Sequence, residues 1–139
     1  MQNRRETLKQ SALVAALLAN KSAFEAKNLA DALKALGAGA PTENKSVTIT
    51  GPDIAENGAV VPFAVATSLP GVKQMLILVE KNPTALVAIF NVTDSIEANF
   101  STRAKMGQSS DVYAVAIMSD GKALYAKKEV KVTLGGCGG

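Results

Sequence analysis

Seven short runs of strand-forming residues, separated by turns, fill most of the chain after residue 45. The runs are rich in Val, Ile and Thr, and Gly, Pro, Asn and Asp residues interrupt them. They cover residues 46–50, 60–67, 73–80, 85–92, 97–105, 111–118 and 122–134. Frequent turns with no helix between the runs favour a mainly β fold, an immunoglobulin-like antiparallel β-sandwich of about seven strands, with a β-barrel as the alternative. Pro62 within the second run predicts an edge strand or a bulge there.

One α-helix is expected before the first strand. Ser22 and Glu25 have the spacing of a capping box, which would start a helix. Three leucines then recur at helical spacing on one face: Leu29, Leu33 and Leu36. Gly37 follows as a C-terminal stop. The pattern predicts a helix over residues 23–36, packed on the sandwich, and a linker over residues 40–44.

The first 22 residues have the form of a signal peptide. A charged start precedes an apolar segment at residues 12–19, which is shorter than the ~20 residues of a membrane span, so no membrane anchor is expected. The segment resembles a twin-arginine signal at Arg4, Arg5, Leu8 and Lys9 and departs from it at Asn3 and Thr7. This interpretation predicts export to the periplasm in a folded state, with no clear cleavage site. An amphipathic first helix is the alternative.

Composition excludes many kinds of site. The chain has no His and a single Cys, so it contains neither a Cys-His nor a Ser-His catalytic pair and can form no internal disulfide or thiolate zinc cluster. We expect no metal and no resident cofactor. Residues 1–19 carry two of the three excess positive charges, so the remaining chain is close to neutral. A neutral body lacks the basic patch that is typical of nucleic-acid-binding proteins.

The C-terminal residues form the candidate site. Cys137 stands between Gly135 and Gly136 on one side and Gly138 and Gly139 on the other, directly after the last predicted strand. Glycine adds nothing to a core and loses much entropy on ordering, so the sequence predicts a slim, flexible arm that carries one thiol. The nearest cation in the sequence is Lys131, so nothing adjacent would activate the thiol as a catalytic nucleophile. This pattern indicates a carrier that is acted on by enzymes and is not itself an enzyme.

The chain therefore divides into a signal peptide at residues 1–22, a carrier domain at residues 23–134 and a swinging arm at residues 135–139. Three segments of the domain and the arm resemble the SoxY family, the thiosulfate-carrying subunits of the periplasmic sulfur-oxidising (Sox) system. They are Ala23-Phe-Glu-Ala-Lys27, Ile54-Ala-Glu-Asn-Gly58, Val60-Val-Pro-Phe63 and the ending Gly135-Gly-Cys-Gly-Gly139. The ending is the most specific of these.

The resemblance implies a function for the arm. Cys137 would be the covalent attachment site, and a c-type cytochrome would join thiosulfate to it as a cysteine S-thiosulfonate. A dimanganese hydrolase would then release sulfate and leave a persulfide for other Sox enzymes. The resemblance also implies a heterodimer with SoxZ, a second sandwich protein.

Two other functions use the same residues. Ubiquitin-like sulfur carriers also end in Gly-Gly and bear a C-terminal thiocarboxylate, although they are small cytoplasmic domains of a different fold. A structural module could instead dimerise through a Cys137–Cys137 disulfide.

Overall fold

The computed structural model describes residues 28–93 and 96–134. One helix and nine strands lie within them. They are α1 (Leu29–Ala35), β1 (Pro41–Glu43), β2 (Val47–Thr50), β3 (Ile54–Ala55), β4 (Val61–Thr67), β5 (Val72–Val79), β6 (Leu86–Asn91), β7 (Asn99–Ala104), β8 (Ser110–Met118) and β9 (Ala123–Val132). The larger sheet has the order β1-β9-β8-β5-β6 with β3 beside β9, and the smaller sheet has the order β2-β4-β7. The expected mainly β, immunoglobulin-like sandwich is confirmed.

All seven predicted runs form strands, and their ends agree with the prediction to within two residues. The predicted count is nevertheless too low, because β1 and β3 are also present. Both pair in parallel with β9, so the sandwich is not purely antiparallel as predicted. With three and two residues, these strands are too short to show a period of their own. They form because β9 offers them an edge.

The core lies between the two sheets, and β5 explains why the sequence of its strands is so apolar. Met75 and Ile77 pack against the smaller sheet, whereas Leu76 and Leu78 pack on the helix side. All four are fully buried, because the sheet is covered on both faces at this strand. Burying each such side chain contributes about 1.5–3 kcal/mol to folding.

The helix begins later than predicted. Asn28 is extended, with φ −147° and ψ 171°, and its side chain accepts a hydrogen bond from the N–H of Asp31. Asn favours this capping role over a helix interior, so α1 begins at Leu29, and the part of the predicted helix at residues 23–27 lies outside the described residues. The predicted stop is confirmed, since Gly37 follows with φ +73°. The predicted capping box at Ser22 lies outside the described residues, within which no helix has the length and apolar content to cross a membrane.

The helix packs as predicted on the sandwich, where Ala32 and Leu33 are buried against the outer face of the larger sheet. Pro62 lies elsewhere than expected. It belongs to β4, the central strand of the smaller sheet, and pairs with Arg103 of β7. The edge prediction is therefore wrong for the strand as a whole. The register of β2 on β4 begins only at Ala64, so a proline is tolerated at this end of the strand.

Candidate functional site

The predicted site residues Gly135, Gly136, Cys137, Gly138 and Gly139 lie outside the described residues. The predicted signal peptide at residues 1–22 lies outside them as well. The structure instead describes the place where the chain leaves the fold toward Cys137. We call residues 132–134 the arm root.

Backbone hydrogen bonds hold the arm root along its whole length. Beside it runs the segment of residues 53–58, with Ile54 opposite Lys131 in a parallel register. Thr133 N–H donates to the Ala55 carbonyl at 3.0 Å, and Gly58 N–H donates to the Leu134 carbonyl at 2.7 Å. The fold therefore fixes the chain up to its last described residue, three positions before Cys137.

Side chains add two further hydrogen bonds to the arm root. The Thr133 hydroxyl donates to the Glu56 carbonyl at 2.9 Å. On the other side of the strand, the Ser109 hydroxyl accepts a hydrogen bond from Val132 N–H at 2.8 Å. Asn57 shapes the neighbouring turn, because its side chain accepts from Ala59 N–H at 2.9 Å. These short polar side chains satisfy backbone groups where the regular sheet ends.

A loop at residues 105–109 packs against the segment of residues 53–58 and supports it. Met106 is fully buried, and its N–H donates to the Gly58 carbonyl at 2.7 Å. Asn82 holds this loop: its side chain donates to the Lys105 carbonyl at 2.7 Å and accepts from Gly107 N–H at 3.2 Å. Asn82 is only 5% exposed, whereas Lys105 and Gly107 are exposed, so both bonds are partly shielded from water.

Sequence reasoning missed this supporting role. Asn82 stands before Pro83, and the pair indicated only a turn. The sequence of residues 54–58 gives no sign of their structural role. In the structure, these residues form the support of the arm root.

Charged side chains near the arm root have weak electrostatic effects. Lys128 donates a hydrogen bond to Asp53, and the two form an ion pair at the start of the supporting segment. The hydrogen bond and the charge of Lys128 lower the pKa of the Asp53 carboxyl. Asp53 is highly exposed, so water screens this pair strongly. The pair therefore contributes little to the electrostatic potential of the surface, and its main effect is to hold the start of the segment of residues 53–58.

Other depressions in the described part of the surface offer less chemistry. One of about 910 Å³ lies at the opposite end of the sandwich, between the end of β4 and the start of β7. Another of about 530 Å³ lies over Phe63, Pro62 and Arg103 of the smaller sheet. No group of three His, Cys, Asp or Glu side chains that could hold a metal occurs within residues 28–93 and 96–134.

Comparisons with known proteins match most of the chain. The family model described as sulfur oxidation protein SoxY matches residues 32–137, a span that includes both the supporting segment and Cys137. A solved structure, the sulfur carrier protein SoxY from Chlorobium limicola f thiosulfatophilum, is 37% identical with a TM-score of 0.61. That match covers 68% of this chain and 84% of the other.

A more distant match shares the fold alone. It is a superoxide reductase (neelaredoxin) from Ignicoccus hospitalis, which is 16% identical with a TM-score of 0.55 and covers 63% of this chain and 80% of the other. Among curated protein sequences, none matches the chain.

Proposed function

The chain belongs to the SoxY family of sulfur oxidation proteins, and from this premise we propose that it carries its sulfur cargo covalently on Cys137. The observation that supports the attachment site most is the reach of the family match to residue 137, which holds the only thiol in the sequence. Gly135, Gly136, Gly138 and Gly139 form the swinging arm in this proposal. The hydrogen bond that the Leu134 carbonyl accepts from Gly58 adds support, because a fixed attachment point limits the distance over which the thiol can move.

The loading step is an oxidation of the thiol together with thiosulfate. The Cys137 thiol and the terminal sulfur of thiosulfate lose one proton and two electrons in total and form an S–S bond. The product is a cysteine S-thiosulfonate, and the electrons pass to a partner c-type cytochrome. The nearest cation in the sequence is Lys131, six positions before Cys137, so in this proposal the enzyme that loads the thiol supplies the activation.

Release then proceeds by hydrolysis. Water attacks the sulfonate sulfur, the S–S bond to it breaks, and sulfate leaves together with a proton. A dimanganese hydrolase catalyses this step in the proposal. A persulfide remains on Cys137 for oxidation or transfer by other Sox enzymes. The chain acts throughout as a substrate carrier without a resident cofactor.

The family and the N-terminal sequence support a proposal for the location and the partner subunit of the protein. We propose a periplasmic protein, exported by the twin-arginine route and assembled as a heterodimer with a SoxZ-like subunit. An oxidising compartment suits a thiol whose working forms are disulfide-like. Neither nucleic acid nor a membrane anchor takes part in the proposal.

The test is intact mass spectrometry after incubation with thiosulfate and the loading cytochrome. We expect the mass of a thiosulfate adduct on the protein, and its loss in Cys137→Ser because a hydroxyl cannot form the S–S bond. Circular dichroism of the variant should match that of the unsubstituted protein. An adduct that persists in Cys137→Ser would contradict the proposal, and one at the C-terminal carboxyl would favour the thiocarboxylate alternative. A Cys137–Cys137 dimer that resists loading would favour the structural alternative.

A further inference from the structure

Asn57 is followed by Gly58, and no other asparagine in the sequence precedes a glycine. An Asn-Gly pair is prone to deamidation, because glycine has no Cβ to hinder the attack of its backbone nitrogen on the preceding side-chain amide. Asn57 is exposed, and the pair belongs to the segment that supports the arm root. The most labile amide of the sequence therefore lies beside the arm root.

Deamidation at this pair needs water and no other reactant. The Gly58 nitrogen loses its proton and attacks the side-chain carbonyl carbon of Asn57. The bond from that carbon to the amide nitrogen breaks, ammonia leaves, and a succinimide ring joins the two residues. Water then opens the ring at either carbonyl and gives aspartate or isoaspartate. In isoaspartate the backbone runs through the former side chain.

The closed arm root hinders both reacting groups. Gly58 N–H donates to the Leu134 carbonyl at 2.7 Å, which retains the proton and fixes the nitrogen. The Asn57 side chain accepts from Ala59 N–H at 2.9 Å, which fixes its orientation. Gly58 is also buried, so hydroxide reaches its N–H only when the arm root opens. Loss of this proton is the step that base-catalysed hydrogen exchange requires as well, so deamidation at Asn57 and exchange at Gly58 should depend on the same opening.

The isoaspartate product does not fit the closed arm root. It adds one carbon to the backbone between residues 57 and 58, and a further backbone bond is about 1.5 Å long. Gly58 uses both of its backbone groups, because its carbonyl also accepts from Met106 N–H at 2.7 Å. A displacement of that size takes both groups out of hydrogen-bonding distance. The new carboxylate also lies next to Glu56 in the sequence, and like charges repel.

We propose that Asn57 is a site of spontaneous deamidation, that the closed arm root slows the reaction, and that conversion to isoaspartate releases the arm root. The reaction involves neither Cys137 nor its cargo, so it goes beyond the proposed carrier function. Refolding does not reverse the change, because the covalent backbone differs. A converted chain would keep a loosened attachment of the arm.

Asn44 provides an internal control. Its side chain accepts a hydrogen bond from Ser46 N–H at 2.8 Å, two residues ahead, as the Asn57 side chain does from Ala59. Asn44 precedes Lys45, whose side chain hinders the attack of the backbone nitrogen. It lies between β1 and β2, outside the arm root. The two asparagines therefore share a local geometry and differ in the next residue and in their place in the fold.

The experiment incubates the full chain at mildly alkaline pH, folded or unfolded in urea. Peptide mapping by mass spectrometry follows the conversion of Asn57 and Asn44, and chromatography separates isoaspartate from aspartate. The test variant is Thr133→Val, which removes the hydrogen bond to the Glu56 carbonyl. Thr133→Ser keeps a hydroxyl at this position. Thr48→Val removes a similar bond to Ala66, outside the arm root.

We expect Asn57 to be converted more slowly in the folded chain than in urea, and Asn44 to be converted least in both states. Thr133→Val should accelerate conversion of Asn57 about two- to tenfold, the factor by which loss of one hydrogen bond raises local opening. Exchange of the Gly58 amide should rise by the same factor. Thr133→Ser and Thr48→Val should leave both rates unchanged.

The converted chain is then isolated and its hydrogen exchange is measured. The Met106 amide, which donates to Gly58, should exchange faster than before conversion. The Thr67 amide donates to the Ala98 carbonyl in the other sheet, and its exchange should not change. Asn57→Ser, incubated for the same time, cannot deamidate at this position and should keep the original exchange of Met106.

Three outcomes would overturn the proposal. Equal conversion of Asn57 in the folded chain and in urea would mean that the closed arm root gives no protection. Faster exchange of Gly58 in Thr133→Val without faster conversion of Asn57 would mean that another step sets the rate. Unchanged exchange of Met106 in the isoaspartate form would mean that the arm root tolerates the longer backbone. Failure of the carrier function looks different, because these rates are measured without thiosulfate.

Discussion

At the residue scale, Thr133 makes the last described side-chain hydrogen bond before the arm. Its hydroxyl donates to the Glu56 carbonyl at 2.9 Å. Thr133→Val keeps the shape and removes this bond, so we expect a loss of about 0.5–1.5 kcal/mol in local stability. The loss should appear as faster hydrogen exchange of the Gly58 amide, which donates to Leu134.

Thr48 offers the control for this prediction. Its hydroxyl donates to the Ala66 carbonyl at 3.3 Å, in a different sheet and near the opposite end of the sandwich. Thr48→Val therefore removes a bond of the same kind without touching the arm root. Gly58 exchange should stay at its original rate in that variant. Equal acceleration in both variants would contradict a local role for Thr133.

The exposed ion pair of Asp53 and Lys128 contributes little to the stability of the fold. The hydrogen bond from Lys128 and its charge lower the pKa of Asp53, so the pair stabilises the fold at pH values above the ordinary carboxyl range. That contribution is lost as pH falls through the lowered pKa. Because the carboxyl is highly exposed, screening keeps the effect small, and the hydrogen bonds of the arm root dominate its geometry.

At the scale of elements, the loop at residues 105–109 depends on Asn82. Asn82→Ala removes the bonds to the Lys105 carbonyl and the Gly107 N–H, which belong to exposed residues, so each loss costs about 0.5–1.5 kcal/mol. We expect the free energy of unfolding in urea to fall by about 1–3 kcal/mol, with earlier exchange of the Met106 amide. The exposed Asn57→Ala, which loses only the bond to Ala59, should cost less. A smaller loss for Asn82→Ala than for Asn57→Ala would refute this role.

The strands and the helix differ in how well the sequence predicts them. Strands such as β5 and β8 were predictable because both bury continuous apolar runs between turns. The two short strands β1 and β3 were not, because their pairing depends on the free edge of β9 and not on a pattern of their own. The helix start was misplaced because a capping box and an N-terminal Asn cap give competing local signals, and only packing decides between them.

In the candidate site, too, the sequence indicates some features and not others. Cys137 and its glycines stand out in the sequence because no folding requirement explains them, and their role stays a prediction because they lie outside the described residues. The support beneath Leu134 was not predictable, since it consists of backbone hydrogen bonds between segments about 75 residues apart. Backbone bonds leave almost no trace in residue identity.

At the scale of the whole molecule, the sandwich offers a rigid base for the arm of the proposed function. The arm root is bonded to residues 53–58, and those residues are bonded to a loop that Asn82 holds. In the proposed function, the domain therefore has no slack chain before Leu134 to release toward an enzyme. The distance from Leu134 to Cys137, at most ~10 Å, would then set the reach of the thiol.

This rigidity predicts that deletions on the two sides of Cys137 differ in effect. Removing Gly136 shortens the reach by one residue, from ~10 Å to ~7 Å, and the sulfur can no longer arrive at the reacting position. Removing Gly138 takes the same residue from the far side and leaves the reach unchanged. Misplacement of a reacting atom by even ~1 Å can cost about a hundredfold in rate. We therefore expect kcat/KM for loading to fall at least a hundredfold without Gly136 and far less without Gly138. Loading is measured with the partner cytochrome, and alkylation by a small reagent should be equal in both proteins. Equal losses in the two deletions would mean that enzymes recognise the glycine composition of the arm, whereas normal loading without Gly136 would mean that the arm root yields.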